Sequence, residues 1–282
     1  MLRKLFKYDF LAIGKNMWIF TIIAICLAVV ACFTFNGIYE IGNFIGNAPS
    51  DRDMALGVSL MMAAVMLFAL CLCGIIAYAV IGMIMILVRY YSNFFTDEGY
   101  LTFTLPVKTS TLLHSKILSG ISWFAIIGVV VVLSFVAVAT TIAAVTGDSY
   151  LWEVSDYYTV EPESISVIGE IIVGMTETIS FVIAIIEPVL LMFLCVTLAS
   201  VIARRARVVI GIGLFFAVNS VTSALVTAGD VFMSYITTEY FGYNYYIDTA
   251  TQSVFYILLY GSILVVSYLL NRYLLKNKLN LI

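Results

Sequence analysis

Long apolar runs separated by short polar intervals dominate the chain. Runs of about 20 residues or more, apolar around the whole helical circumference, lie near 18–36, 57–88, 116–147, 178–203, 208–229 and 251–271. Strands of a membrane barrel would instead alternate over about ten residues. A backbone in hydrocarbon must pair its N–H and C=O groups internally, so runs of this length and uniformity predict transmembrane helices. The pattern predicts an all-α polytopic membrane protein with about six spans. Composition agrees, because 63% of the 282 residues are hydrophobic and 11% are charged, against about a quarter charged in soluble domains.

Before the first run, Leu2, Leu5, Phe6, Phe10, Ile13 and Met17 recur at spacings of three and four, with Arg3, Lys4, Lys7 and Lys15 mostly on other faces. This pattern predicts an amphipathic helix over 1–17 lying in the membrane interface, with Trp18 at headgroup level. The alternative is an ordinary basic flank that only sets topology. No small-x-small cleavage pattern ends the first run early, so it is read as a retained span. No internal repeat or low-complexity linker stands out, and 1–282 is read as a single transmembrane domain.

Charge adds orientation. With six spans, every one of the 14 Lys and Arg except Arg52 falls on the same side. The bias of basic residues toward cytoplasmic loops puts that side, and both termini, in the cytoplasm. The opposite side is acidic and aromatic, notably Asp230, Tyr235, Glu239, Tyr240, Tyr245, Tyr246 and Asp248 in a last outer loop over 230–250. Solvated surface and cation-attracting vestibule are both open readings of those acids.

The interval 89–115, between the second and third runs, is the richest in residues able to make specific contacts. Gly99 permits a sharp turn or a close backbone approach, and Pro106 ends any helix near Leu105. A short helix here would present aromatic and Leu side chains to a groove in a soluble partner, with Asp97 and Glu98 at its edge. The stretch DEGYLTFTLPV over 97–107, followed by Leu112, Leu113 and the string SKIL over 115–118, resembles the first cytoplasmic loop of bacterial ABC type-2 transporter permeases of the Firmicutes kind. The local match covers about twenty residues. That resemblance implies a cytoplasmic coupling helix seated in a separate ATP-binding-cassette ATPase subunit, which binds ATP and Mg²⁺; this chain itself carries no cofactor. It implies contact with that subunit through Phe95, Asp97, Glu98, Gly99, Tyr100, Leu101, Thr104, Leu105 and Pro106. It also implies pairing with a second permease subunit, as homodimer or heterodimer, in the cytoplasmic membrane of a bacterium. The expected function is export by alternating access. One departure stands out: familiar exporters of this class carry a short re-entrant helix pair before the last span, and 230–250 does not map onto it.

Other chemistry is sparse. No Gly-x-x-x-x-Gly-Lys-Ser/Thr is present, so the chain is not the ATPase. A single histidine, His114, gives no expectation of a metal site or of catalysis. Cys26, Cys32, Cys71, Cys73 and Cys195 sit singly inside apolar runs, where cysteine packs as a small hydrophobe. Glu170, Glu177 and Glu187 accompany the fourth run. Measured from Arg204 at about 1.5 Å per residue, Glu170 and Glu177 fall outside a core about 30 Å thick and Glu187 near its outer edge. Beside Pro188, Glu187 reads either as a pathway or gating residue or as a solvated interface residue. The expected partners are therefore the bilayer, an ATPase subunit and a second permease, with no nucleic acid. An ion-coupled secondary transporter and a non-transporting immunity or scaffold subunit are the competing readings.

Overall fold

The computed structural model describes residues 2–47, 50–96, 109–146, 167–203, 206–242 and 244–277. These form six helices: α1 (Leu2–Gly46), α2 (Asp51–Phe95), α3 (Thr109–Thr146), α4 (Val167–Ile202), α5 (Arg207–Phe241) and α6 (Tyr245–Asn277). All six are long and apolar enough to cross a membrane. The chain is a multi-pass α-helical membrane protein. Its exposed side chains fit that solvent, with Ile22, Leu60, Leu70, Val132 and Leu133 each half or more exposed, a burden of apolar surface that lipid accepts and water does not.

The helices outrun the apolar segments. α1 and α2 have 45 residues each, about 68 Å of helix against a hydrocarbon core of about 30 Å. In particular, α1 is unbroken from Leu2 to Gly46, so the amphipathic start is continuous with the first span and is not a separate helix. Its apolar stripe has protein partners: Ile13 and Met17 are buried, while Leu11 and Trp18 are exposed. The interval expected as a loop over 89–115 is also shorter than its hydropathy implied, because α2 continues to Phe95 and α3 starts at Thr109.

The chain divides into two compact units. The first comprises residues 11–84 and 125–163. Within it α1 presents a stripe of small residues, Thr21, Ala24, Ala28 and Ala31, all nearly fully buried. Small side chains at a spacing of three and four let helices approach closely where lipid supplies no hydrophobic drive. Ala31 packs with Cys71 of α2 and Val138 of α3, and Leu27, Cys32, Phe68 and Ile142 surround them. The hydroxyls of Thr21 and Tyr78 bond across the helices at 3.0 Å. Ser50 starts α2 by accepting the Asp53 N–H at 3.3 Å, a capping arrangement of Ser followed three residues on by an acid.

The second unit contains residues 1–10, 85–124 and 164–282. α4 is its hub. Every residue from Val189 to Val196 is buried, so this helix is enclosed on all faces rather than on one. α5 and α6 pack on α4 and on each other. The turn between α5 and α6 is short: Gly242, with φ 70° and ψ 175°, ends α5 in a region of backbone space that is essentially glycine-only. Asn244 then accepts the N–H groups of Tyr246 and Ile247, capping α6. Most of the expected outer loop over 230–250 is thus helical, and only residues 242–244 separate the two helices.

Candidate functional site

Two polar features interrupt the second unit's apolar interior. The first ties the end of α2 to the ends of α4 and α6. Tyr90 stacks on Phe193 with ring centroids 4.0 Å apart and 6° between planes. Its hydroxyl lies 3.0 Å from the Thr197 hydroxyl and donates to Asn271 Oδ1 at 3.1 Å. Thr197 also donates to Asn271 Oδ1, at 2.7 Å. All three are buried, and such a network holds three helices in one register because breaking any bond leaves a polar atom unpaired in an apolar surround. Nearby, Lys116 of α3 forms an ion pair with Asp9 of α1, and Ser115 donates to the same carboxylate at 3.3 Å. Trp123 Nε1 donates to the Phe10 carbonyl at 3.0 Å. The α1 start, α2 end, α3 start, α4 end and α6 end, which carry most of the basic residues, therefore meet at one end of this unit.

Phe95, the residue expected to begin the partner-contacting segment, is the last residue of α2 and half-buried. It belongs to an aromatic cluster with Tyr91, at 5.7 Å, and Tyr90, at 6.2 Å between centroids. Asp97, Glu98, Gly99, Tyr100, Leu101, Thr104, Leu105 and Pro106 lie outside the described residues.

The second feature lies among α4, α5 and α6. Glu187 is only 4% exposed, so it is an interior residue and not an exposed one at the interface. Its Oε1 is buried with no hydrogen-bond partner among the described residues. Glu187 lies about 22 Å from the Ile202 end of α4, and Thr222 the same distance from the Arg207 end of α5, which sets them at one level. Tyr256 and Tyr260 of α6 lie within electrostatic range of Glu187, and Tyr260 within that of Asp230 of α5. Tyr260 is also within hydrogen-bonding reach of Thr222. The two tyrosine rings lie 4.4 Å apart. Beside them is a cavity of about 320 Å³, largely open at the surface and lined by Ser180, Phe181, Ala184, Asp230, Gln252, Ser253 and Tyr256. Gln252 is held in place by donating to Asp248 Oδ2 at 3.1 Å.

Pro188 adds an acceptor here. α4 runs through it without a break, but proline has no N–H, so the Ala184 carbonyl loses the donor that a helix would otherwise give it. Of this constellation, Glu187 stood out in the sequence as the acid inside an apolar run. Thr222, Tyr256 and Tyr260 did not, although Tyr256 and Tyr260 at a spacing of four carry the only local signal. Tyr90, Thr197 and Asn271 were likewise invisible as a set, because they come from three distant parts of the chain.

Comparison with protein-family models, with curated proteins and with solved structures found no match to this chain.

Proposed function

We propose that this chain is the membrane-spanning permease subunit of an ABC-type exporter in a bacterial cytoplasmic membrane, with both termini cytoplasmic. A separate ATPase subunit docks on the segment from Phe95 to Pro106, and a second permease subunit completes the translocation path. The observation that carries this reading is the grouping of the segments flanking 97–108 with α4, α5 and α6 in one compact unit. Tyr90, one and a half turns before the end of α2, is stacked and hydrogen-bonded to α4 and α6. A force applied to the chain after Phe95 is therefore delivered to the helices that hold Glu187 and the cavity. In this reading ATP binding on the partner favours one state of the permease over the other and so shifts its population between inward-facing and outward-facing forms. The resemblance of 97–107 to a coupling loop supports the same reading.

A second reading, an ion-coupled secondary transporter, draws on the buried Glu187, since an ionisable side chain inside a span is a natural ion site. One experiment separates them. The chain is co-expressed with the ATP-binding subunit encoded nearest its gene, purified in mild detergent, and compared with Glu98→Ala/Leu101→Ala. The expected result is a complex that hydrolyses ATP and that the double variant fails to form or couple. Purification of the wild type without any ATPase, with the variant unchanged, removes the permease reading and leaves the ion-coupled transporter or a scaffold subunit.

A further inference from the structure

Beyond Phe10, α1 has two unlike sides. Ile13, Met17, Thr21 and Ala24 are buried within the first unit, whereas Leu11, Lys15, Trp18 and Ile22, at spacings of four, three and four on the other side, are all exposed. Helix register fixes how deep that exposed stripe lies. The Thr21 and Tyr78 hydroxyls are 3.0 Å apart, and the Met17 methyl stands 3.1 Å from where a Cβ on Gly82 would be. The two helices therefore run antiparallel with Met17 level with Gly82. Continuing by two residues sets Lys15 level with Ile84, about 6 Å inside the end of the apolar run at 88. Lys15 is thus a cation on an exposed helix face at a depth that its own carbon stem can span to reach the headgroups. No nearby carboxylate along these helices offsets it. Asp and Glu are absent from 10–39, 54–96 and 109–147, and Asp9 is buried in its ion pair with Lys116.

We propose that Lys15 and Trp18 bind the headgroup of an anionic phospholipid. Three features select that occupant. It has to be anionic, because the helices around Lys15 bring no carboxylate to it. It has to carry acyl chains, because the stripe runs on from Ile22 through Ile25, Val29 and Phe33, each half or more exposed. And its charge has to lie at the apolar boundary, where Lys15 sits and where an indole, apolar with one polar edge, is at home. A headgroup with a net negative charge meets all three conditions. A zwitterionic headgroup carries its own cation and gains less from Lys15. One lysine beside an anionic leaflet is worth about a fivefold preference. The inference holds for either transporter reading and does not depend on the coupling segment.

The test is quenching of tryptophan fluorescence by lipids with brominated acyl chains, which reports lipid in contact with the indole. The full-length chain is reconstituted in phosphatidylcholine vesicles containing increasing fractions of brominated phosphatidylglycerol or, separately, of brominated phosphatidylcholine. The Trp18 signal is the difference between wild type and Trp18→Phe. The expected result is that phosphatidylglycerol competes for the Trp18 site about fivefold better, a preference that Lys15→Arg keeps and Lys15→Gln loses. Equal quenching by the two lipids overturns the proposal. So does a Lys4→Gln variant that loses as much of the preference as Lys15→Gln, since the attraction then belongs to the basic end as a whole. Absence of quenching at Trp18 by either lipid overturns it too, and would show that protein, such as a second copy of the chain, covers this side of α1. Lys15 and Trp18 are exposed, so these substitutions leave the packed side of α1 intact. Should Lys15→Gln nevertheless fail to reconstitute, the two-lipid comparison on wild type decides.

Discussion

Asp9 and Lys116 are each less than a tenth exposed, an unusual place for opposite charges in a chain so poor in them. Such a pair roughly balances desolvation against attraction, so its presence says little about net stability, but its rupture is costly. Lys116→Met leaves the Asp9 carboxylate buried with, among the described residues, only the Ser115 hydroxyl as a donor. The expected loss is about 3–5 kcal/mol, read from unfolding by sodium dodecyl sulfate in mixed micelles. Adding Asp9→Leu should restore much of that loss, whereas two independent losses that simply add would show that the residues are not coupled. Lys116 carried a meaning in the sequence as one of the basic residues that set topology; its partner did not, because it lies 107 residues away. Glu187 was legible for the opposite reason. An acid inside an apolar run is conspicuous alone, while the α5 and α6 residues that come near it become visible only when those helices are packed.

At the scale of elements, the number and type of helices were legible and their lengths were not. Hydropathy ended the fifth run at 229, where Gly229 and Asp230 interrupt it, yet α5 continues to Phe241. Backbone hydrogen bonding needs no apolar side chain, and a helix leaving the bilayer stops at a backbone signal such as Gly242 rather than at the first charge. The same distinction explains why the amphipathic start of α1 is continuous with the span after it. How closely helices approach is also hidden in hydropathy. Gly211 of α5 faces Val196 of α4 so tightly that a Cβ there would stand 3.0 Å from the Val196 Cα and 2.9 Å from its Cγ2. Backbone cannot yield as a side-chain tip can, so Gly211→Val must separate α4 from α5. We expect a loss of about 1–3 kcal/mol, seen as a lower midpoint in the same unfolding titration. An equivalent substitution at Gly213, whose Cβ would meet nothing within 4 Å, should leave the midpoint nearly unchanged, and similar effects at both positions would contradict the close packing.

For the whole molecule, six helices long and apolar enough to cross, if all six do, put the start of α1 and the end of α6 on one side of the membrane and the connection between α1 and α2 on the other. Contacts within the second unit agree, since Tyr90 near the end of α2 meets Asn271 near the end of α6 and His114 near the start of α3 meets Tyr268 of α6. In the orientation proposed above, the cytoplasmic side is the one that carries every Lys and Arg of the sequence except Arg52. That assignment makes a direct prediction. With Cys26, Cys32, Cys71, Cys73 and Cys195 replaced by alanine, single cysteines are introduced at Asn47 and at Lys276, both exposed positions. A membrane-impermeant maleimide applied to intact cells should modify Asn47→Cys and spare Lys276→Cys until the membrane is permeabilised. The reverse labelling would invert the protein and place the segment from Phe95 to Pro106 outside the cell, out of reach of any ATPase. Labelling of both positions in intact cells would mean that one of the six helices does not cross. The maleimide pattern therefore bears on the coupling role proposed for that segment, because a segment can receive force from a cytoplasmic ATPase only from the cytoplasmic side.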